Sequence, residues 1–263
     1  MHAGAPLDFA IGAAAAAVIA LAAYRTRSLD RAGAVSAFAV GTATYGALGL
    51  PGSYVLLAFF VTSVGLSRVG KARKRAALVD VDKTGPRDGA QVLANGGIAA
   101  CCALAAAFVD ARFAVAFGGA FAAAAADTWA TEIGTLVKQP PRSILTGRPI
   151  ATGLSGGVTL AGTLAEIAGA LAIACAALPL APHAFVAIVA GGVAGAVIDS
   201  LLGASLQALR WCPQCGRATE RDPHVCGAAT QPLRGFAWFG NDAVNLAATA
   251  SGALVAVLAS PGT

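Results

Sequence analysis

Long apolar runs recur along this chain, and they leave it one class of fold. A backbone in lipid must satisfy its own N–H and C=O groups, so apolar runs of about 20 residues argue for helices rather than a barrel. Composition agrees: 57% of the chain is hydrophobic and 12% charged, against roughly 25% charged in soluble domains. The 32 glycines and the abundant alanine suit close helix packing, although a biased base composition also raises alanine. The chain therefore reads as an all-α, polytopic transmembrane helical bundle, one membrane domain over 1–263. About eight spans are expected, near 7–24, 32–50, 53–66, 91–109, 112–134, 156–178, 184–207 and 236–259. Pro51-Gly52 predicts a tight hairpin between the second and third spans, and the short third span is compatible with a re-entrant segment. The first apolar run lacks a basic leader and counts as a span, not a cleaved signal.

Eight spans make the connections alternate between sides. Those at 24–31, 67–90, 135–155 and 208–235 share one side and hold every Lys and Arg except Arg112, out of 18. The positive-inside rule makes that side cytoplasmic. Both termini are then expected outside, in a multi-pass protein of the inner (plasma) membrane. The net charge of +5 is accounted for by topology first and by an anionic substrate second. It gives no support for nucleic acid binding.

Polar groups inside such spans are costly and mark function. By topology Asn95, Asp127, Glu132, Asp199, Asn241, Asp242 and Asn245 fall in the cytoplasmic halves of their spans, while Glu166 reads as deeper, near the middle of the sixth. Gly195, Asp199 and Gly203 recur at helical spacing, placing a carboxylate between two glycines on one face. Asp127 and Glu132 are five residues apart and need not share a face, so one serves a site while the other pairs with a base. Hard oxygen ligands without clustered His or Cys suit Mg²⁺, which takes one or two carboxylates plus substrate phosphates. Ser155, Gly156 and Gly157, read as opening the sixth span, suit an anion at a helix N-terminus. Lys71, Arg87 and Arg148 are candidate phosphate contacts. The competing reading has these carboxylates paired with Lys and Arg purely to hold helices together.

A second cluster lies in the 208–235 loop, where Cys212-Pro-Gln-Cys215 precedes His224-Val-Cys226. These four residues can supply a tetrahedral set for a structural Zn²⁺. A reducing cytoplasm favours metal over a disulfide, with free or redox thiols as the alternative. Cys101, Cys102 and Cys175 read as small core residues, and Trp129 and Trp238 as interfacial belt residues.

Taken in order, several motifs resemble one integral membrane family, that of the plant chloroplast phytyl-phosphate kinase and an uncharacterised animal transmembrane protein. They are Asp30-Arg31-x-Gly33, QVLANGG at 91–97, ADTWATEIG at 126–134, GLSGGVTLAGT at 153–163, DSLLGASLQ at 199–207, the Cys/His loop, and GNDAVNL at 240–246. Thr131 stands where the family often has Ser, and Leu154 where it often has Thr. The resemblance implies a kinase that moves a phosphoryl group from a nucleoside triphosphate, CTP or ATP, to an isoprenyl monophosphate in the bilayer. On that reading Asp127, Asp199 and Asp242 hold Mg²⁺, with Glu132 behind them. Asn95, Asn241 and Asn245 orient substrate or metal. A CTP-dependent lipid-phosphate cytidylyltransferase and a transporter are the competing functions, and assembly as a homo-oligomer is open.

Overall fold

The computed structural model describes residues 5–77, 80–81 and 85–261, so Lys83 of the basic 67–90 connection lies outside it. Eight helices dominate: α1 (Pro6–Arg25), α2 (Arg31–Arg68), a short α3 (Lys71–Ala77), α4 (Gly89–Phe108), α5 (Phe113–Gly134), α6 (Leu160–Ala176), α7 (Phe185–Ser205) and α8 (Asn241–Ala259). Their starts follow local chemistry. Pro6 opens α1, where its missing N–H costs nothing. Asp30 Oδ1 accepts from Gly33 N at 2.7 Å to cap α2. Asp88 and Gln91 form a reciprocal capping box on α4.

The 38 residues of α2 would span about 57 Å as a straight helix. Instead, Arg68 Nη2 donates to Ser28 Oγ at 3.1 Å, so the end of α2 lies beside its beginning. The reversal occurs at Gly49, whose φ of 61° is open to glycine, with Pro51 opening the second limb. The expected hairpin is therefore present, and its second limb returns over the full distance rather than re-entering. Among the described residues, six helices are long and apolar enough to cross a membrane. Counting α2 as two limbs and adding the 17-residue α6 gives the eight spans read from the sequence.

The fifth helix occupies the centre. Every residue from Ala114 to Ala126 is buried, and α2, α4, α6, α7 and α8 pack around it. Its small side chains let these neighbours approach. Phe117 and Phe121 stack edge-on at 5.2 Å, and Phe59 meets Phe121 at 5.4 Å. Outward-facing Val18, Leu164, Val186 and Leu258 present the apolar surface that lipid requires.

Connections sort to the two ends of the bundle. At one end Ser28 and Asp30 hydrogen-bond Arg87 through their backbones. There too Ser155 N donates to Glu220, and Arg234 Nη2 donates to Gly203 O. At the other end Phe9 stacks on Phe108. The basic connections thus gather at one end, as the charge distribution predicts. There the 208–235 loop forms a three-stranded antiparallel ribbon, β3 (Leu209–Cys212), β4 (Arg217–Thr219) and β5 (Gln231–Arg234), in the order β4-β3-β5.

Candidate active site

Close helix approach fixes the level of the polar residues. A Cβ on Gly195 of α7 would lie 2.4 Å from Ala123 Cβ of α5 and 2.8 Å from Ala248 O of α8, so only glycine permits this three-helix crossing. One turn nearer the basic end, the same faces carry Asp127, Asp199 and Asn245. Asp199 lies within electrostatic range of Asp127, Glu166 and Glu220. Asp127 in turn faces Arg87 and Glu132. Asp199 Oδ2 is buried and has no hydrogen-bond partner among the described residues.

Glu166 belongs to this cluster, against the expectation that it lies deeper. It is 8% exposed and faces Asp127. The sixth span is expected from Gly156, but α6 starts at Leu160, capped by Thr159 Oγ1 accepting from Gly162 N at 3.0 Å. Those four residues move Glu166 a full turn toward the end.

The same boundary corrects Ser155, Gly156 and Gly157, which do not open a helix. Gly157 pairs with Ser143 in a two-residue ribbon, β1 (Arg142–Ser143) with β2 (Gly157–Val158). Gly156 packs on Ala204 of α7. Ser155 N is taken by Glu220 Oε1 at 2.9 Å, so it is not offered to an anion. The last helix starts at Asn241 rather than 236. Asn241 is exposed, while Asp242 and Asn245 are half-buried. Asp242, in the first turn, sits about one turn nearer the basic end than Asn245.

Glu132 is the carboxylate that pairs with a base. Its partner is Lys74 of α3, which is 5% exposed and also donates to Leu66 O at 2.7 Å. Lys71 is exposed, at the first residue of α3. Arg148 is likewise exposed, in the turn after β1. Of the three basic candidates, Arg87 alone faces the carboxylates. Burial pulls its guanidinium below the ordinary range, and Glu132 and Asp127 pull it back up.

Arg87 also stands at the mouth of a groove between α1, both limbs of α2 and α4. The groove has a free volume of about 90 Å³ and is walled by Ala16, Ala20, Ala37, Val40, Leu56 and Phe60, with Arg87, Gln91 and Asn95 at its polar end. Asn95, whose Nδ2 donates to Gln91 O at 2.9 Å, therefore belongs to this groove by its place in the lining. Ile19 and Leu57, 41% and 37% exposed, open it toward lipid. No local pattern announces the groove, because its walls are ordinary helix-facing alanines and aliphatics. Trp129 is not interfacial either: its Nε1 donates to Thr62 Oγ1 at 3.2 Å within the core. Trp238 is 75% exposed beside Phe236 and Phe239. Cys101 and Cys175 face outward rather than into the core.

The second cluster forms in the ribbon. Ligand atoms of Cys212, Cys215, His224 and Cys226 all lie within 4.8 Å of one another. His224, then the Ala228 backbone, stabilise the Cys226 thiolate and lower that thiol to about 6.

Residues 14–253 match the family described as Integral membrane protein DUF92. Protein PGR of Arabidopsis thaliana is 30% identical over 264 residues, spanning 87% of this chain and 88% of its own. An uncharacterised membrane protein of Methanocaldococcus jannaschii is 33% identical over 189 residues, 71% of this chain and 78% of its own. Protein VTE6, chloroplastic, of A. thaliana is 27% identical over 241 residues, 88% of this chain and 65% of its own. No solved structure matches the chain.

Proposed function

The chain belongs to the DUF92 family of integral membrane proteins, and from that premise we propose that it is a membrane-embedded isoprenyl-phosphate kinase. It transfers a phosphoryl group from a nucleoside triphosphate, CTP or ATP, to an isoprenyl monophosphate and forms the diphosphate. One observation carries the reading: an apolar groove open to lipid ends in Arg87, and Arg87 faces the half-buried carboxylates of Asp127 and Glu132. A lipid phosphate fits that arrangement, tail in the groove and head against the guanidinium. The positive-inside rule supports a basic end in the cytoplasm, which is where nucleotide is available, and a bacterial or archaeal chain would then sit in the plasma membrane.

The carboxylates support a divalent cation. Asp127, Glu166 and Asp199 face one another and would repel unless protonated or bridged by positive charge. Glu132 is already committed to Lys74. All-oxygen donors fit Mg²⁺, held by Asp127 and Asp199, with Asp242 at the next level outward beside the nucleotide. When bound, the ion neutralises phosphate charge, which is most of what phosphoryl transfer requires. Arg87 holds the acceptor phosphate, already anionic near neutral pH, so no residue is needed to remove a proton from it. An acceptor oxygen attacks the γ-phosphorus, the bond to the β–γ bridging oxygen breaks, and nucleoside diphosphate leaves. Asn245 and Asn241 line the approach from the end of α8, and Lys74 keeps Glu132 in place beneath Arg87.

Product analysis tests this. Purified protein given prenyl monophosphates with labelled CTP or ATP and Mg²⁺ should yield lipid diphosphate and nucleoside diphosphate. A CDP-lipid with pyrophosphate would make it a cytidylyltransferase. Uptake of the lipid phosphate into vesicles without turnover would make it a transporter.

A further inference from the structure

The Cys/His ribbon reaches across the basic end of the bundle and takes hold of a residue far away in sequence. His224 Nε2 lies 3.1 Å from Asp80 Oδ1, and Asp80 is 8% exposed. The opposite ring nitrogen, Nδ1, lies 3.2 Å from Cys226 Sγ. Asp80 is secured further. Its Oδ2 meets Arg217 Nη1 at 3.4 Å, and its carbonyl accepts from Thr219 Oγ1 at 3.0 Å and from Glu220 N at 2.8 Å. Sulfur and nitrogen ligands around zinc lie about 2.3 and 2.0 Å from the ion. Tetrahedral geometry then separates two sulfurs by roughly 3.8 Å. Cys212 Sγ and Cys226 Sγ are 3.6 Å apart, far longer than a disulfide of about 2.05 Å.

We propose that Cys212, Cys215, His224 and Cys226 bind one Zn²⁺, and that Asp80 positions His224 by accepting from Nε2–H, so that the metal clips the connection after α3 onto the ribbon. A histidine that ligates through one nitrogen characteristically donates from the other to a carboxylate, which sets its tautomer and orientation. The four donors close the coordination sphere, so the ion is structural and not catalytic. The clip has reach. The connection it secures runs from Lys74, the partner of Glu132, to Arg87. The residue after Thr219, Glu220, also accepts from Ser155 N. One ion thereby fastens two of the connections that close the carboxylate end, whatever reaction occurs there.

The test uses the full chain purified in detergent. Metal analysis should give one zinc per chain, and Co²⁺ replacement should give thiolate-to-cobalt and tetrahedral absorption bands. Asp80→Ala should keep those bands and the stoichiometry but bind zinc about 10- to 100-fold more weakly in chelator competition. Asp80→Asn, which retains an acceptor for Nε2–H, should recover most of that loss. Chelation should also release hydrogen-exchange protection at Glu220 N–H. Substoichiometric zinc, or thiols that oxidise to a disulfide in place of binding metal, would overturn the site. Wild-type affinity in Asp80→Ala would overturn the positioning role. If Asp80→Ala fails to fold, Asp80→Leu, which keeps the bulk but accepts no hydrogen bond, takes its place: affinity below wild type supports that role, and wild-type affinity refutes it.

Discussion

Replacing Gly195 with alanine adds one methyl group where three helices meet. The new Cβ would lie 2.4 Å from Ala123 Cβ and 2.8 Å from Ala248 O, whereas ordinary contact begins at 3.4 Å. The neighbours are a methyl fixed to α5 and a backbone carbonyl, and neither can rotate away. The helices must therefore part by about 1 Å, and overpacking of this kind costs about 1–3 kcal/mol. Each kcal/mol lowers Tm by roughly 2–4 °C in a domain of this size. Because Asp127 and Asp199 stand one turn along the same faces, the separation also widens the carboxylate cluster, so turnover should fall further than stability. Gly97→Ala is the control. Its Cβ would meet only Leu93, at 3.8 Å, and alanine gains up to about 1 kcal/mol of helix propensity. Thermal unfolding in detergent and turnover per folded molecule read both effects. If Gly195→Ala unfolds at the same temperature as Gly97→Ala, the close approach of α5, α7 and α8 is wrong, and the level assigned to the carboxylates falls with it.

Lys74→Ala removes the direct partner of the half-buried Glu132, leaves it only the attraction of Arg87, and should cost about 1–3 kcal/mol; the double change Lys74→Met with Glu132→Leu should recover most of it, as a double-mutant cycle by thermal unfolding would show. Ala37→Phe narrows the groove and should raise KM for prenyl monophosphate while leaving KM for nucleotide unchanged, which initial-rate kinetics on both substrates can check. Arg87→Gln should raise KM for the lipid phosphate and spare a prenyl alcohol's partition into the groove, measured by binding of the two lipids. Asp127→Asn relieves carboxylate repulsion, so in metal-free buffer it should unfold at the wild-type temperature or above, and a large fall would favour a purely structural ion-pair role.

Much of the architecture was legible because it is written in local pattern. The one-sided basic residues fixed the span count, and Pro51-Gly52 marked the reversal that the left-handed Gly49 makes. The separation of Asp127 from Glu132 by five residues foretold that one would pair with a base. The choice of Lys74 over Lys71 was not legible, because the two share a face by spacing and only the docking of α3 brings Lys74 to Glu132. Glu166 lies one turn from its expected level, since GLSGGV suits a helix start by composition yet forms a turn and a short strand before α6, which Thr159 caps. Asp80 carries no local signal at all. Its partner His224 is 144 residues away, and only the folded ribbon brings the two together. The groove was hidden for a related reason, since a cavity is what helices fail to fill and leaves no mark on any one of them.

The central claim is that the Asp127, Glu166 and Asp199 cluster performs phosphoryl transfer beside Arg87. Turnover of Asp199→Asn against wild type, normalised to folded protein, tests it most directly, with a prenyl monophosphate, Mg²⁺ and nucleotide labelled in the γ-phosphate. The account predicts labelled lipid diphosphate from wild type and none above background from an Asp199→Asn protein that unfolds no earlier in metal-free buffer. Equal turnover by the two proteins would contradict it.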